Sequence, residues 1–365
     1  MVKFSVTIIF FLSTLFIHAQ NIFEGYEHLF STPGNYVVYR TSEVMKIDGK
    51  PDEISWQKAD WSEHFQDIEG DKKPVPTYFT HMKMLWDEQN LYILAELEEP
   101  HIWAYYTKRD QIVYHENDFE IFIDPDRDTY NYFEFEINAR NTLFDLFMPL
   151  PYRNGGKYDI GWDAEGFKSA VFIDGTINDP RDTDKKWMVE VAIPFSALKL
   201  NVDNVVPLDG EFWKINFSRV QWHTEIVDGK YQKIKDATTN KFLSEENWVW
   251  SEQGVINMHY PERWGLAVFS TNPVGGDKIA FAYPDEEILG RFLWLIYYKQ
   301  QNFKKVNGKY AESLLDLDLE NEVFNVFCRM DTNEGGFNAY LDNKKGVKLS
   351  INHEGLFKIK NLQNE

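Results

Sequence analysis

The feature that most constrains this chain is a strict two-residue alternation. Across residues 132–138, Phe133, Phe135 and Ile137 fall on one side, and Glu134, Glu136 and Asn138 fall on the other. Successive side chains of a strand point to opposite faces, so this segment reads as a strand. Phe119-Glu120-Ile121-Phe122-Ile123 precedes it, and Asp124-Pro125-Asp126-Arg127-Asp128 joins the two as the turn of a hairpin. A second hairpin pairs Met82, Met84 and Trp86 with Leu91, Ile93, Ala95 and Leu97 around a turn at 87–90. Further strands are expected near 170–173, 187–193, 212–222 and 265–269. A short helical turn is expected at 194–198, entered through Pro194. Many strands and few long helices predict a mostly β chain, an antiparallel β-sandwich.

The tail reads differently. Ile288, Leu289, Phe292, Leu293 and Ile296 recur at helical spacing, and Asn307-Gly308-Lys309 breaks the pattern. Strand-like pieces follow around 324–328, 337–341, 348–352 and 356–359. These predict a small C-terminal helix-plus-sheet appendage. The expected organisation is a leader at 1–19, a lead-in at 20–43, the sandwich at 44–270, a linker at 271–284 and the tail at 285–365. Thr271–Gly276, with its Pro and paired Gly, supplies the boundary.

At the N-terminus, Lys3 precedes an apolar run from Val6 to Ile17, which ends at His18, Ala19 and Gln20. This pattern describes a secretory signal peptide cleaved after Ala19. The run is too short to span a bilayer comfortably. A secreted or periplasmic, soluble protein without a membrane span is therefore expected.

Composition narrows the partners. A formal charge of −20 repels phosphate backbones, so nucleic acid is not an expected partner. Cys328 is the only cysteine, which excludes an internal disulfide and cysteine-based metal centres. Aromatics make up 16% of the chain, including 12 Trp. They supply core, and any that stay exposed can stack on a ligand.

Four motifs in order resemble the family 9 carbohydrate-binding modules. They are Ile47-Asp48-Gly49-Lys50-Pro51-Asp52-Glu53-Ile54-Ser55-Trp56, then Leu85-Trp86-Asp87 through Leu91-Tyr92-Ile93, then Asn117-Asp118-Phe119-Glu120-Ile121-Phe122-Ile123-Asp124, then residues 187–194. The likeness runs from about 44 to 270. Residues 134–139, 174–179, 216–220, 247–251 and 258–265 extend it toward family-9-like exported proteins of the Bacteroidetes type. The resemblance implies a jelly-roll-like or DOMON-like sandwich and a non-catalytic carbohydrate-binding role in polysaccharide catabolism, the partner being an oligo- or polysaccharide. It also implies a sugar clamped between two Trp faces, with polar side chains on its hydroxyls. Here the first Trp position falls on Tyr114 and the second on Met258. The family's strand Glu falls on Glu120. Its sugar-contacting Arg falls in a region that carries Glu134, Glu136 and Asn138. Trp250, His259, Trp222 and Trp162 stand close enough in sequence to replace a missing platform.

No cofactor is required by this reading. Asp124, Asp126 and Asp128 have the alternate spacing of calcium loops but lack the Gly and distant Glu of an EF-hand, so structural calcium is a possibility there. Two other function classes stay open. Glu120, Glu134 and Glu136 could serve a glycoside hydrolase acting on O-glycosyl bonds, which needs paired carboxylates. Met258 with a nearby His could ligate iron in a haem-binding, DOMON-like module. A serine-hydrolase elbow, a zinc-protease helix motif and a P-loop are absent from the sequence.

Overall fold

The computed structural model describes residues 22–199, 205–320, 322–323, 326–343 and 346–361. The leader expected at 1–19 lies outside the described residues. The described residues form two compact units, one within 33–281 and one made of 22–32 with those from 282 to 361.

The larger unit is mostly β. Its strands are β1 (Asn35–Arg40), β2 (Gln66–Asp67), β3 (Thr80–Trp86), β4 (Asn90–Glu98), β5 (Asp118–Asp124), β6 (Tyr132–Asn138) and β7 (Leu143–Met148). They continue with β8 (Lys168–Asp174), β9 (Lys186–Pro194), β10 (Phe212–Gln221), β11 (Thr224–Val227), β12 (Lys230–Lys233), β13 (Glu246–Val249) and β14 (Gly265–Pro273). One sheet runs β7-β6-β5-β10-β14-β1-β3-β4-β9-β8, with β13 and β2 branching from β10; β11 and β12 form a separate hairpin.

The sheet curls because both of its halves bury the same face in one core. Phe119, Ile121 and Ile123 of β5, Phe133, Phe135 and Ile137 of β6, and Trp213, Ile215 and Phe217 of β10 meet Met82, Met84 and Trp86 of β3 and Val189, Val191 and Ile193 of β9. The alternation read from the sequence therefore sets the curl as well as the strands.

Three expectations change. The lead-in is not irregular throughout, since β1 lies within it and pairs in parallel with both β14 and β3. The sheet is accordingly not antiparallel at every pair. The run Tyr36-Val37-Val38-Tyr39 is rich in strand formers, but it has no adjacent hairpin partner to mark it as part of the sheet. The segment 271–284 is likewise part strand, because β14 extends through Pro273.

The opening motif is held by one carboxylate. Glu190 of β9 accepts hydrogen bonds from Asp48 N at 2.9 Å, Gly49 N at 3.0 Å and Trp56 Nε1 at 2.8 Å. Trp56 lies on the short helix α1 (Ile54–Lys58) and is fully buried. Gly49 is required there, because its φ is +82° and an added Cβ would stand 2.7 Å from Phe172 N. These contacts give the first and last of the four motifs a structural role.

The smaller unit pairs a long helix with a sheet. Helix α2 (Asp285–Asn307) opens with Asp285, Glu286 and Glu287 and closes with Lys304 and Lys305 before Gly308 at φ 74°. This charge order complements the helix dipole, and the left-handed glycine ends the helix. Strands β15 (Glu322–Val323), β16 (Val326–Asn333), β17 (Gly336–Asp342), β18 (Val347–Asn352) and β19 (Phe357–Asn361) form an antiparallel meander. Gly290 lets α2 approach Phe357, whose ring would lie 2.9 Å from an added Cβ.

Replacing Glu190 with Ala leaves three donors without their acceptor. Equilibrium unfolding in urea should show a loss of about 3 kcal/mol. An unchanged midpoint would mean that the opening loop is anchored elsewhere.

Candidate functional site

The core-facing side chains of β5, β6 and β10 leave the opposite face of these strands polar. On that face the register sets Glu120 opposite Glu136 and Phe122 opposite Glu134. Ser218 of β10 stands opposite Glu120 on the other side. From β7, Phe144 lies opposite Glu136 and Leu146 opposite Glu134. Loops rise around this floor and enclose a hollow of about 550 Å³. Tyr114, Tyr152, Tyr158, Met258, His259 and Asn247 line its wall.

Six of the expected site residues share this hollow: Tyr114, Glu120, Glu134, Glu136, Met258 and His259. Two do not. Trp250 lies in the core against Phe217, and the backbones of Gly34 and Gly265 close on its ring, so no face is left for a ligand. Asn138 is fully buried and serves the backbone of its own turn. Its amide donates to Tyr106 O and Glu116 Oε2, and its carbonyl oxygen accepts from Arg140 N and Thr142 N. Trp162 packs on Phe133 and Phe135, and Trp222 donates its indole N–H to Tyr114 O.

The three turn aspartates do meet, with one oxygen of each within 4.8 Å of the others. They also hold the turn. Asp124 accepts from Arg127 N and Thr129 N, and Asp128 accepts from Tyr130 N. Arg127 and Thr129 have φ of 60° and 75°, conformations that these side-chain bonds support.

Sequence reasoning missed Tyr152 and Tyr158. Both rings are well exposed, at 39% and 50%, alongside Tyr114 at 40%. They sit on the loop after β7, where Pro149, Pro151, Gly155 and Gly156 frame them. Aromatics on a Pro- and Gly-rich loop were the available signal, since binding residues favour loops on a rigid scaffold. The loop is anchored by Arg153, whose guanidinium grips Glu262 at 2.7 and 3.0 Å and stacks on Tyr260. Tyr152 packs edge-on to His259, with centroids 4.3 Å apart.

The floor is acidic and buried. Burial pushes the Glu120 carboxyl up to about 7. Burial, then repulsion from neighbouring carboxylates, raises Asp118, Glu134 and Glu136 well above the usual range. Among the described residues, the one basic group that an ion-pair contact brings to these carboxylates is His259, 3.8 Å from Glu134. Burial pushes this imidazole down to about 4, so it is neutral and Tyr132 shares its Nδ1.

The sign of the pH dependence follows. A carboxyl raised from 4.5 to about 7 by folding stabilises the folded state below 4.5, and that contribution is lost as pH rises through 7. His259, lowered from 6.5 to about 4, acts oppositely and only below 6.5. Between pH 6.5 and 8 the raised carboxyls act, with Glu190, which burial also pushes up to about 7, adding a part that a change at Glu120 leaves in place. In chelator, the melting temperature should fall across that interval, and Glu120→Gln should reduce the fall. A flat parent profile would count against the buried acidic floor.

The family model described as "Carbohydrate family 9 binding domain-like" matches residues 47–249. The exoglucanase XynX of Acetivibrio thermocellus is 26% identical over 163 residues, which is 45% of this chain and 13% of that protein. The endo-1,4-beta-xylanase A of Thermotoga neapolitana is 27% identical over 161 residues, 44% of this chain and 13% of that protein. The chain thus covers 12–13% of the length of such curated relatives. Among solved structures, a putative carbohydrate-binding protein from Bacteroides uniformis aligns at TM-score 0.47 and 16% identity, over 66% of this chain and 100% of that one. A family 9 carbohydrate-binding module from Caldicellulosiruptor kristjanssonii, solved with cellotriose, aligns at 0.40 and 17%, over 68% and 100%. With more than half of its length matched by the family model, the chain belongs to the carbohydrate family 9 binding domain-like family.

Proposed function

We propose that this is an exported, non-catalytic protein that binds a carbohydrate in the hollow over β5, β6 and β10, in the service of polysaccharide breakdown. The curled sheet is read as a jelly-roll-like sandwich, and the hollow as its ligand face. The observation that carries the reading is the combination of Tyr114, Tyr152 and Tyr158 standing half-exposed around a floor of carboxylates.

That arrangement suits a sugar. A pyranose has an apolar face that stacks on a ring, and its hydroxyls need acceptors and donors once they leave water. Glu120 and Glu136 supply acceptors, Asn247 supplies both, and the three tyrosines supply faces. The family assignment supports the same reading, as do relatives named exoglucanase and endo-1,4-beta-xylanase, which support a polysaccharide setting. The two platform positions carry Tyr114 and Met258 instead of Trp, so the chain-end specificity of a two-Trp clamp is not transferred.

The carboxylates argue for holding over cutting. Glu120 and Glu136 are direct cross-strand neighbours and reach the hollow from one side. Glycoside hydrolysis needs two carboxyl groups flanking the bond.

A glycan array probed with the full chain in calcium-containing buffer should retain a defined set of neutral oligosaccharides. For a retained glycan, Tyr114→Ala and Tyr152→Ala should each weaken binding about five- to tenfold, the loss of one ring face. Tyr340→Ala, on the tail sheet, should leave it unchanged. An empty array, or tyrosine variants that bind like the parent, would remove the hollow from consideration as the sugar site.

A further inference from the structure

The floor contains more negative charge than sugar hydroxyls call for. Asp118 points to the same face as Glu120, two residues along β5, and lies opposite Asn138 and Val220. It is fully buried, and neither of its carboxylate oxygens has a hydrogen-bond partner. Glu134 Oε2 and the Ser218 hydroxyl are buried without one as well. Glu136 accepts from Tyr114 N at 2.8 Å. Unpaired buried carboxylates are costly, and cavities that tolerate them hold a compensating cation or bind protons.

The three carboxyl groups converge on one point. One oxygen each from Asp118, Glu120 and Glu136 lies within 4.8 Å of the other two. Carboxylate oxygens this close can share one hard divalent cation, and calcium, with its flexible all-oxygen coordination, accepts such a set without an ideal geometry. The three side chains are set by adjacent, fully paired strands, so the spacing is a property of the sheet. Glu120 also lines the hollow, which gives an ion a route in and open coordination positions toward whatever fills it.

We propose that Asp118, Glu120 and Glu136 form a divalent-cation site of calcium type beneath the hollow, distinct from the aspartate turn at 124–128. The ion supplies a positive charge that, among the described residues, no cationic side chain is seen to supply to these three carboxyls, and Ser218 offers a neutral oxygen beside it. Occupation by the ion does not depend on the sugar reading, so its titration succeeds or fails independently of the glycan array.

The test is calorimetric titration of chelator-stripped full-length protein with calcium chloride, together with thermal melts in chelator and in about 1 mM calcium. The parent should bind calcium, and its melting temperature should rise by about 5 °C. Glu136→Gln and Asp118→Asn should weaken this binding at least tenfold. Both variants should melt higher than the parent in chelator, because a repelling charge is gone; that result separates lost binding from lost folding. Asp126→Asn, in the turn, should titrate like the parent. The proposal is overturned if the parent shows no calcium heat and no shift in melting. It is overturned equally if Asp126→Asn abolishes binding while Glu136→Gln retains it.

Discussion

Two carboxylates placed directly opposite each other on neighbouring strands, Glu120 and Glu136, set the terms for this protein. Like charges in cross-strand register destabilise a sheet, and burial makes the repulsion worse. The pair cannot be relieved by a shift in register. A one-residue slip would turn Phe119, Ile121, Phe133 and Phe135 out of the core along with it. The apolar face thus holds the acidic face in place, and the same strands supply both the core and the candidate site.

A polar chain connects this floor to the rim. Arg219 is buried between the rings of Tyr78 and Trp248 and donates to Glu99 at 3.0 Å. Glu99 also accepts from Asn117, whose carbonyl oxygen receives Trp222 N. Trp222 donates to Tyr114 O, and Tyr114 N donates to Glu136. Each link holds the next, so the Tyr114 ring stands on a fixed backbone. A buried ion pair of this kind contributes little net stability and much definition of geometry. Preorganised rings lose little entropy when a ligand stacks on them.

The sequence disclosed what obeys a short period. Alternation at 133–137 and 119–123 gave the strands, their faces and the side from which Glu120, Glu134 and Glu136 project. Helical spacing at 288–296 gave α2. What it concealed depends on contacts between distant segments. Trp250 looked like a free platform, and only the approach of Gly34 and Gly265 makes it core. Asn138 shared the polar phase of β6, yet its position at the end of the strand commits it to the turn. Tyr152 and Tyr158 follow no period, because a loop places them and the Arg153–Glu262 pair orients that loop. The parallel strand β1 was hidden for a related reason: its partners β3 and β14 are remote in sequence, so no local turn announces it.

The acidic floor also bears on which ligands the hollow can accept. A neutral saccharide gives hydroxyl donors to carboxylates and pays only for desolvation. A uronate would bring a further negative charge toward Asp118, Glu120, Glu134 and Glu136, in a chain whose formal charge is already −20. The floor carboxyls are buried beneath the hollow, so this repulsion is screened less by salt than it would be on an open surface. Neutralising the floor, by protons or by a cation, relaxes that exclusion. On the proposed reading, the charge state of three side chains on two strands therefore decides both how firmly the sheet is held and which sugars can approach it.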